Sequence, residues 1–192
     1  MTGAGGGGSA STWPSPDGWG EIIRVTRPTD GSLVGELAVT SPHEVPRRVA
    51  RARAVQGGWG SLSPRDRARR LRSLLEAIGA RGREIEETIV AETGKPRTEA
   101  LLEVLTVTDQ LRYYLGKAPS FLKPRRVSTG WLLWKQALVT REPLGVIGVI
   151  SPWNYPFVLT MIPAMTVVIM NDVGLSVARP AHPGSTVPVF LR

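Results

Sequence analysis

The side chains best placed to do chemistry lie between Val146 and Phe157, where the sequence reads VIGVISPWNYPF. The unbroken β-branched run from Val146 to Ile150 predicts a short strand in a sheet covered on both faces. It ends in Ser151-Pro152-Trp153-Asn154, and open α/β sheets bind ligands just beyond the carboxyl ends of their strands. Pro152 and Pro156 each fix φ and stiffen the loop. A stiff loop can hold the Asn154 side-chain amide where it donates to a developing oxyanion. The same residues also fit an ordinary strand-to-helix turn with Trp153 as a core plug. Residue chemistry alone leaves the two readings even.

Other chemistries find little support. The sequence has no cysteine, which excludes disulfides, thiolate metal sites and a cysteine nucleophile within these residues. Ser151 and Ser176 have no neighbouring base to activate them. His43 and His182 each sit in a proline-flanked loop, a surface setting. Gly94-Lys95 has the look of a phosphate loop, but the glycine such a loop needs upstream is Ile89. Gly3, Gly5 and Gly8 match the spacing of a dinucleotide fingerprint without following a strand or opening a helix, so that match is discarded.

The 192 residues give room for one fair-sized domain, or one and part of another. A hydrophobic share of 42% is enough for a core. The net charge of +8, from 24 Lys+Arg against 16 Asp+Glu, is nearly all arginine and widely spread. Arg65, Arg67, Arg69, Arg70 and Arg72 cluster on one helix. A solvated helix surface is the expected reading of that cluster, ahead of an anion-binding face. A basic nucleic-acid binder is kept only as a third reading of the chain, since no aromatic stacking motif accompanies the charge. No run of about 18 apolar residues is present, so no membrane helix is expected. The opening MTGAGGGGSASTW lacks the features of a secretion signal. The expected setting is cytoplasmic, with no nucleic acid and no membrane as partners.

The elements that must carry the loop read as follows. Residues 1–20, rich in Gly, Ser and Pro, are expected to form a disordered tail. Glu21 to Val39 predicts a hairpin turned at Pro28-Thr29-Asp30-Gly31. Ser41-Pro42-His43-Glu44 and Ser63-Pro64-Arg65-Asp66 are both helix starts. The first helix is expected to end at Gly57-Gly58, with Trp59 packing back on it. Leu71, Leu74, Leu75 and Ile78 form an apolar stripe. Glu84 to Thr93 predicts a helix closed by Gly94. Thr98 to Lys117 predicts the longest helix, with Leu101, Leu102, Leu105, Leu111, Tyr114 and Leu115 lining its core face. Pro119 and Pro124 are expected to break it. Trp131 to Val139 then predicts a strand. Mixed strands and helices place the chain in the α/β or α+β class.

Arg141 to Phe157, REPLGVIGVISPWNYPF, closely resembles the segment of aldehyde dehydrogenases that runs from the oligomerisation arm into the cofactor and catalytic pocket. Leu62 to Arg72 (LSPRDRARRLR), Ala91 to Ala100 (AETGKPRTEA) and Tyr113-Tyr114 are weaker matches of the same kind. The resemblance covers residues from about 21 to 164. It implies an incomplete α/β fold: an amino-terminal helical layer, an oligomerisation-arm strand, and the start of a Rossmann-like cofactor domain. It implies the oxidation of an aldehyde to an acid with NAD or NADP. In that reaction a cysteine thiolate attacks the aldehyde, hydride passes to the nicotinamide, and a glutamate-activated water releases the acid. By the same resemblance Asn154 donates to the substrate oxyanion, and Ile150, Ser151, Pro152 and Trp153 line the cofactor's path. Residues 125–141 would be the arm, joining this chain to copies of itself or to a full-length relative.

The resemblance stops near Met165. The family usually continues into a glycine-asparagine turn, a short strand and a Lys-Pro-Ser segment, whereas this sequence reads TVVIMNDVGLSVARPAHPGSTVPVFLR. Arg179-Pro180 lies too far from Pro163 to stand in for the Lys-Pro pair. The expected organisation is a tail over 1–20, the family-like part over 21–165, and a divergent segment over 166–192 that a change of reading frame would produce. Lacking a cysteine nucleophile, the chain is expected to be inactive alone and to fold poorly around an unfinished sheet. A non-catalytic interaction module is the second reading.

Overall fold

A computed structural model describes residues 22–131 and 134–170, together with the backbone of 173–178. The expected tail over 1–20, His182 and Arg179 lie outside the described residues.

Strands β1 (Ile22–Thr26) and β2 (Leu33–Ala38) form an antiparallel hairpin. Its turn is held by Asp30, which accepts from the Ser32 amide at 2.9 Å and from the Ser32 hydroxyl, while Gly31 takes φ +72°. Five helices follow: α1 (Glu44–Gly60), α2 (Pro64–Arg70), α3 (Arg72–Ala80), α4 (Gly82–Thr93) and α5 (Arg97–Phe121). The short strands β3 (Arg125–Val127) and β4 (Ala137–Val139) pair antiparallel. The chain then builds a βαβ unit from β5 (Val146–Ser151), α6 (Pro156–Ile169) and β6 (Val173–Ala178). Strands β5 and β6 are parallel, in register from Val146 opposite Val173 to Ser151 opposite Ala178. Both strands therefore end at the same edge. The fold is α/β and partial, with two parallel strands, β5 and β6.

Helix α6 is the keystone between the helical layer and the sheet. Its Phe157, Met161, Met165 and Ile169 interlock with Ile78, Ile89, Val104, Val107 and Leu111 in one core. Each such side chain contributes about 1.5–3 kcal/mol by leaving water. The helical layer also holds both ends of α6 by charge. At the amino end the Glu103 carboxylate accepts from the amides of Phe157 and Val158, at 3.1 and 3.2 Å. At the carboxyl end Arg67 donates from Nε to the Ile169 carbonyl, and Trp59 donates from Nε1 to the Val168 carbonyl. A negative group at the start and a positive one at the end both complement the helix dipole and fill unmet backbone groups.

Several local expectations are corrected. Helix α1 begins at Glu44, and the Ser41 hydroxyl accepts from the His43 amide in the turn before it. Gly57 and Gly58 do not end α1. Neither takes positive φ, and the turn after them is secured because Trp59 reaches α6 rather than folding back on its own helix. Helix α5 runs over Pro119 to Phe121, since a proline near the carboxyl end removes only one helical bond. Its core face is Ala100, Glu103, Val104, Val107, Leu111 and Ala118, while Leu101, Leu102 and Leu105 are exposed. Small residues on the inner face let α6 approach, so the large leucines could not decide the orientation. The strand expected over Trp131 to Val139 shrinks to Ala137–Val139 because its partner is only three residues long. Trp131 and Trp134 instead meet edge to face in the connection, with centroids 6.3 Å apart. Arg67 is not a solvated surface residue. It is buried, while Arg65, Arg69, Arg70 and Arg72 lie wholly or partly in solvent.

Candidate functional site

The loop between β5 and α6 is built against the turn that joins α4 to α5. Gly94 closes α4 in the left-handed conformation at φ +71°, with its amide donating to the Val90 carbonyl. A side chain there would be strained in φ, and its Cβ would meet Pro28 of the hairpin at 3.0 Å. The reversal delivers Lys95 to the start of α5, beside Glu103 two turns further on.

Lys95 Nζ donates to Glu103 Oε1 at 2.5 Å and to the main-chain carbonyl of Asn154 at 2.9 Å. It also stands 4.2 Å from the centroid of the Tyr155 ring, a cation–π contact. The Lys95 side chain is 10% exposed and that of Glu103 is 1% exposed. Such a pair is weak evidence for net stability, but removing one partner strands a buried charge at a cost of about 3–5 kcal/mol. One carboxylate thus fixes the start of α6, and one ammonium fixes the loop that precedes it.

The residues read from the sequence fall into two groups. Ser151 is buried, and its hydroxyl donates to the Leu159 carbonyl at 2.9 Å, so its side chain joins the strand to α6. Ile150, Pro152, Trp153 and Asn154 are exposed beside one another at the carboxyl end of β5. Ile150 is 71% exposed. This corrects the expectation of a strand covered on both faces: Val149 and Ser151 turn inward, and the face that carries Ile150 is open among the described residues. Trp153 is half exposed, which also rules out the core-plug alternative. Among the described residues the Asn154 side-chain amide makes no hydrogen bond, while its carbonyl is held by Lys95.

Lys95 and Glu103, which hold this loop and the start of α6, are the residues that the sequence reading passed over. A signal for Glu103 existed: it is an acid at helical spacing within the apolar series Ala100, Val104, Val107 and Leu111. A buried acid at such a position demands a partner. The sequence presents Lys95 within a phosphate-loop match that Ile89 breaks.

A third acid stands apart from this cluster. Glu92 Oε2 is buried under the β1–β2 hairpin with no hydrogen-bond partner. Burial pushes its carboxyl up from an ordinary 4.5 to about 7. The other carboxylates that line the same cleft have counter-charges, Glu36 with Arg24, Glu84 with Arg81 and Glu87 with Arg83. Among the described residues no group of three or more acids or histidines could hold a metal ion. No helix among them is long and apolar enough to cross a membrane.

Comparison with known proteins extends these observations. The model of the aldehyde dehydrogenase family matches residues 13–181. A 4,4'-diapolycopene aldehyde oxidase from Methylomonas is 38% identical over 153 residues, which cover 78% of this chain and 29% of that protein. An NADP-dependent glyceraldehyde-3-phosphate dehydrogenase from Bacillus halodurans, solved with NADP, superposes at a TM-score of 0.75 and 28% identity. That match covers 86% of this chain and 35% of the solved one. An NAD-dependent benzaldehyde dehydrogenase from Corynebacterium glutamicum superposes at 0.72 and 25% identity, over 85% of this chain and 35% of its own. The chain thus spans about 29% of the length of the curated relative it matches.

Proposed function

The chain belongs to the aldehyde dehydrogenase family, and from that premise we propose that it supplies the nicotinamide-side wall of an NAD(P)-dependent aldehyde oxidation site. The observation that carries this is the end of β5. There Ile150, Pro152 and Trp153 form an exposed apolar shelf beside an Asn154 whose carbonyl is held and whose amide is unbonded. A flat ring and ribose fit such a shelf. The pyrophosphate does not fit the nearest helix start, because the Phe157 and Val158 amides already donate to Glu103. The phosphates must therefore be held by groups other than that helix start.

In this reading Ile150, Pro152 and Trp153 exclude water from one side of the cofactor, and Ser151 acts from behind by tying the strand to α6. The cofactor, when bound, accepts the hydride. Asn154 donates its side-chain N–H to the aldehyde oxygen as negative charge gathers there, a contribution of several kcal/mol in comparable oxyanion sites. These 192 residues contain no cysteine, so the thiolate of the family reaction is not theirs to give, and the chain by itself is inactive toward aldehydes. The aldehyde is the substrate of the site that this wall helps to form.

Calorimetric titration of the chain with NAD and with NADP tests the reading. Saturable binding that weakens tenfold or more in Trp153→Ala, with little change in Asn154→Ala, supports it. A folded chain that binds neither dinucleotide refutes it. A second reading, an association module, has one observation in its favour. Trp131 and Trp134 are 81% and 73% exposed on the β3–β4 connection, within the 125–141 segment proposed as the arm. Co-purification with a second copy or a full-length relative should then be lost in the Trp131→Ala, Trp134→Ala double variant.

A further inference from the structure

The geometry points to Lys95 and Glu103 as positioning residues that hold Asn154 for its work, an inference that rests on Asn154 serving a substrate oxygen. Lysine has three donors and no acceptor. Two of those donors are spent here, on Glu103 Oε1 and on the Asn154 carbonyl. The same ammonium faces the ring of Tyr155, the next residue in the chain. Asn154 is therefore gripped at its own carbonyl and again one residue later. Beyond Tyr155 the other oxygen of Glu103 takes the amides of Phe157 and Val158. Backbone from 154 to 158 is thus referred to two side chains on the α4–α5 turn and α5. The Asn154 amide projects from that frame with no partner of its own among the described residues.

Neither Lys95 nor Glu103 touches the site where a reacting atom would sit, so each acts through Asn154. Folding alone does not account for the pair. Two apolar side chains of similar volume commonly serve a core as well as a buried ion pair does. An apolar pair cannot, however, give a hydrogen bond to the Asn154 carbonyl. What the two charges supply beyond packing is a fixed orientation for the loop, and misplacement of a reacting group by about 1 Å costs on the order of a hundredfold in rate.

The test separates orientation from stability. In Lys95→Met the Glu103 charge is left unpaired, and both stability and loop order should fall. In Lys95→Met with Glu103→Gln no buried charge is stranded, and the glutamine oxygen still accepts from Phe157 and Val158. Its melting temperature should return to within a few degrees of the parent. The loop should stay loose, because the ammonium on the Asn154 carbonyl is still missing. Nitrogen relaxation of the full chain, without cofactor, reads the order of the Asn154 and Tyr155 amides. We expect order parameters of about 0.85 in the parent and below about 0.6 in both variants. Recovery of loop order together with melting temperature in the double variant overturns the inference, as does an unchanged loop in Lys95→Met. If the single variant does not fold, the double variant decides alone. Because no dinucleotide is present, a negative cofactor titration leaves this result standing, and a negative relaxation result leaves the titration standing.

Discussion

Glu92 should make the chain less stable as pH rises through neutrality, and Glu92→Gln should remove that loss. The sign follows from the shift. Unfolded, the carboxyl releases its proton near 4.5. Folded, it keeps the proton until about 7 because burial disfavours the charge. Below pH 4.5 both states are protonated and Glu92 costs nothing. Between 4.5 and 7 only the unfolded chain has lost the proton, so stability declines with rising pH. Above 7 the penalty is complete and constant. At 1.36 kcal/mol per pH unit the full rise would be worth about 3 kcal/mol. Part of the side chain still meets solvent, so the realistic loss is about 1–2 kcal/mol. Burial is the cause of the shift; the other acids of the cleft are matched by Arg24, Arg81 and Arg83, and Arg27 lies 3.9 Å from Asp30. Thermal melts of parent and Glu92→Gln at pH 5 and pH 8 make the measurement. The two should melt within about 2 °C of each other at pH 5, with the variant about 2–8 °C higher at pH 8. A difference that does not change with pH, or a variant that is less stable at pH 8, would show that the Glu92 carboxyl is not raised in the fold and that the desolvation argument fails.

Three further outcomes follow from the packing. Gly94→Ala should cost about 1–2 kcal/mol for its left-handed backbone, and more if Pro28 cannot yield; a denaturant midpoint equal to the parent's would contradict the geometry. Leu111→Ala, fully buried in the core between α5 and α6, should lose about 2–5 kcal/mol in urea unfolding; a loss under 1 kcal/mol would mean that α5 does not pack as described. Ser63 accepts from the Asp66 amide at 3.1 Å at the start of α2, so Ser63→Ala should cost about 1 kcal/mol, and calorimetry that finds no change would remove the cap from the account.

What could be read from sequence was governed by how local the cause was. The hairpin turn, the Ser63 cap and the Gly94 stop each depend on a few adjacent residues with strong backbone preferences, and the structure realises each of them. The mixture of strands and helices narrowed the class to α/β or α+β, and the resemblance of one continuous segment, Arg141 to Phe157, made the family and the α/β fold legible. The α5 stripe held for Leu111, Tyr114 and Leu115 but misled in the first half of the helix, where α6 approaches Ala100 and Val107 rather than Leu101 and Leu105. The open face of β5 misled for a related reason: a β-branched run encodes a strand, but the cover over Ile150 depends on neighbours that the run does not specify. Lys95 and Glu103 are the instructive case. They are eight residues apart on either side of a helix start, and their common target, the Asn154 loop, lies more than fifty residues further on. Only the fold brings the three together. Yet Glu103 carried a trace of that arrangement, because a carboxylate in an apolar series is too costly to bury without donors. An acid on a core face is therefore a pointer to a distant partner, and here that partner set is a lysine and the first amides of the helix that follows Asn154.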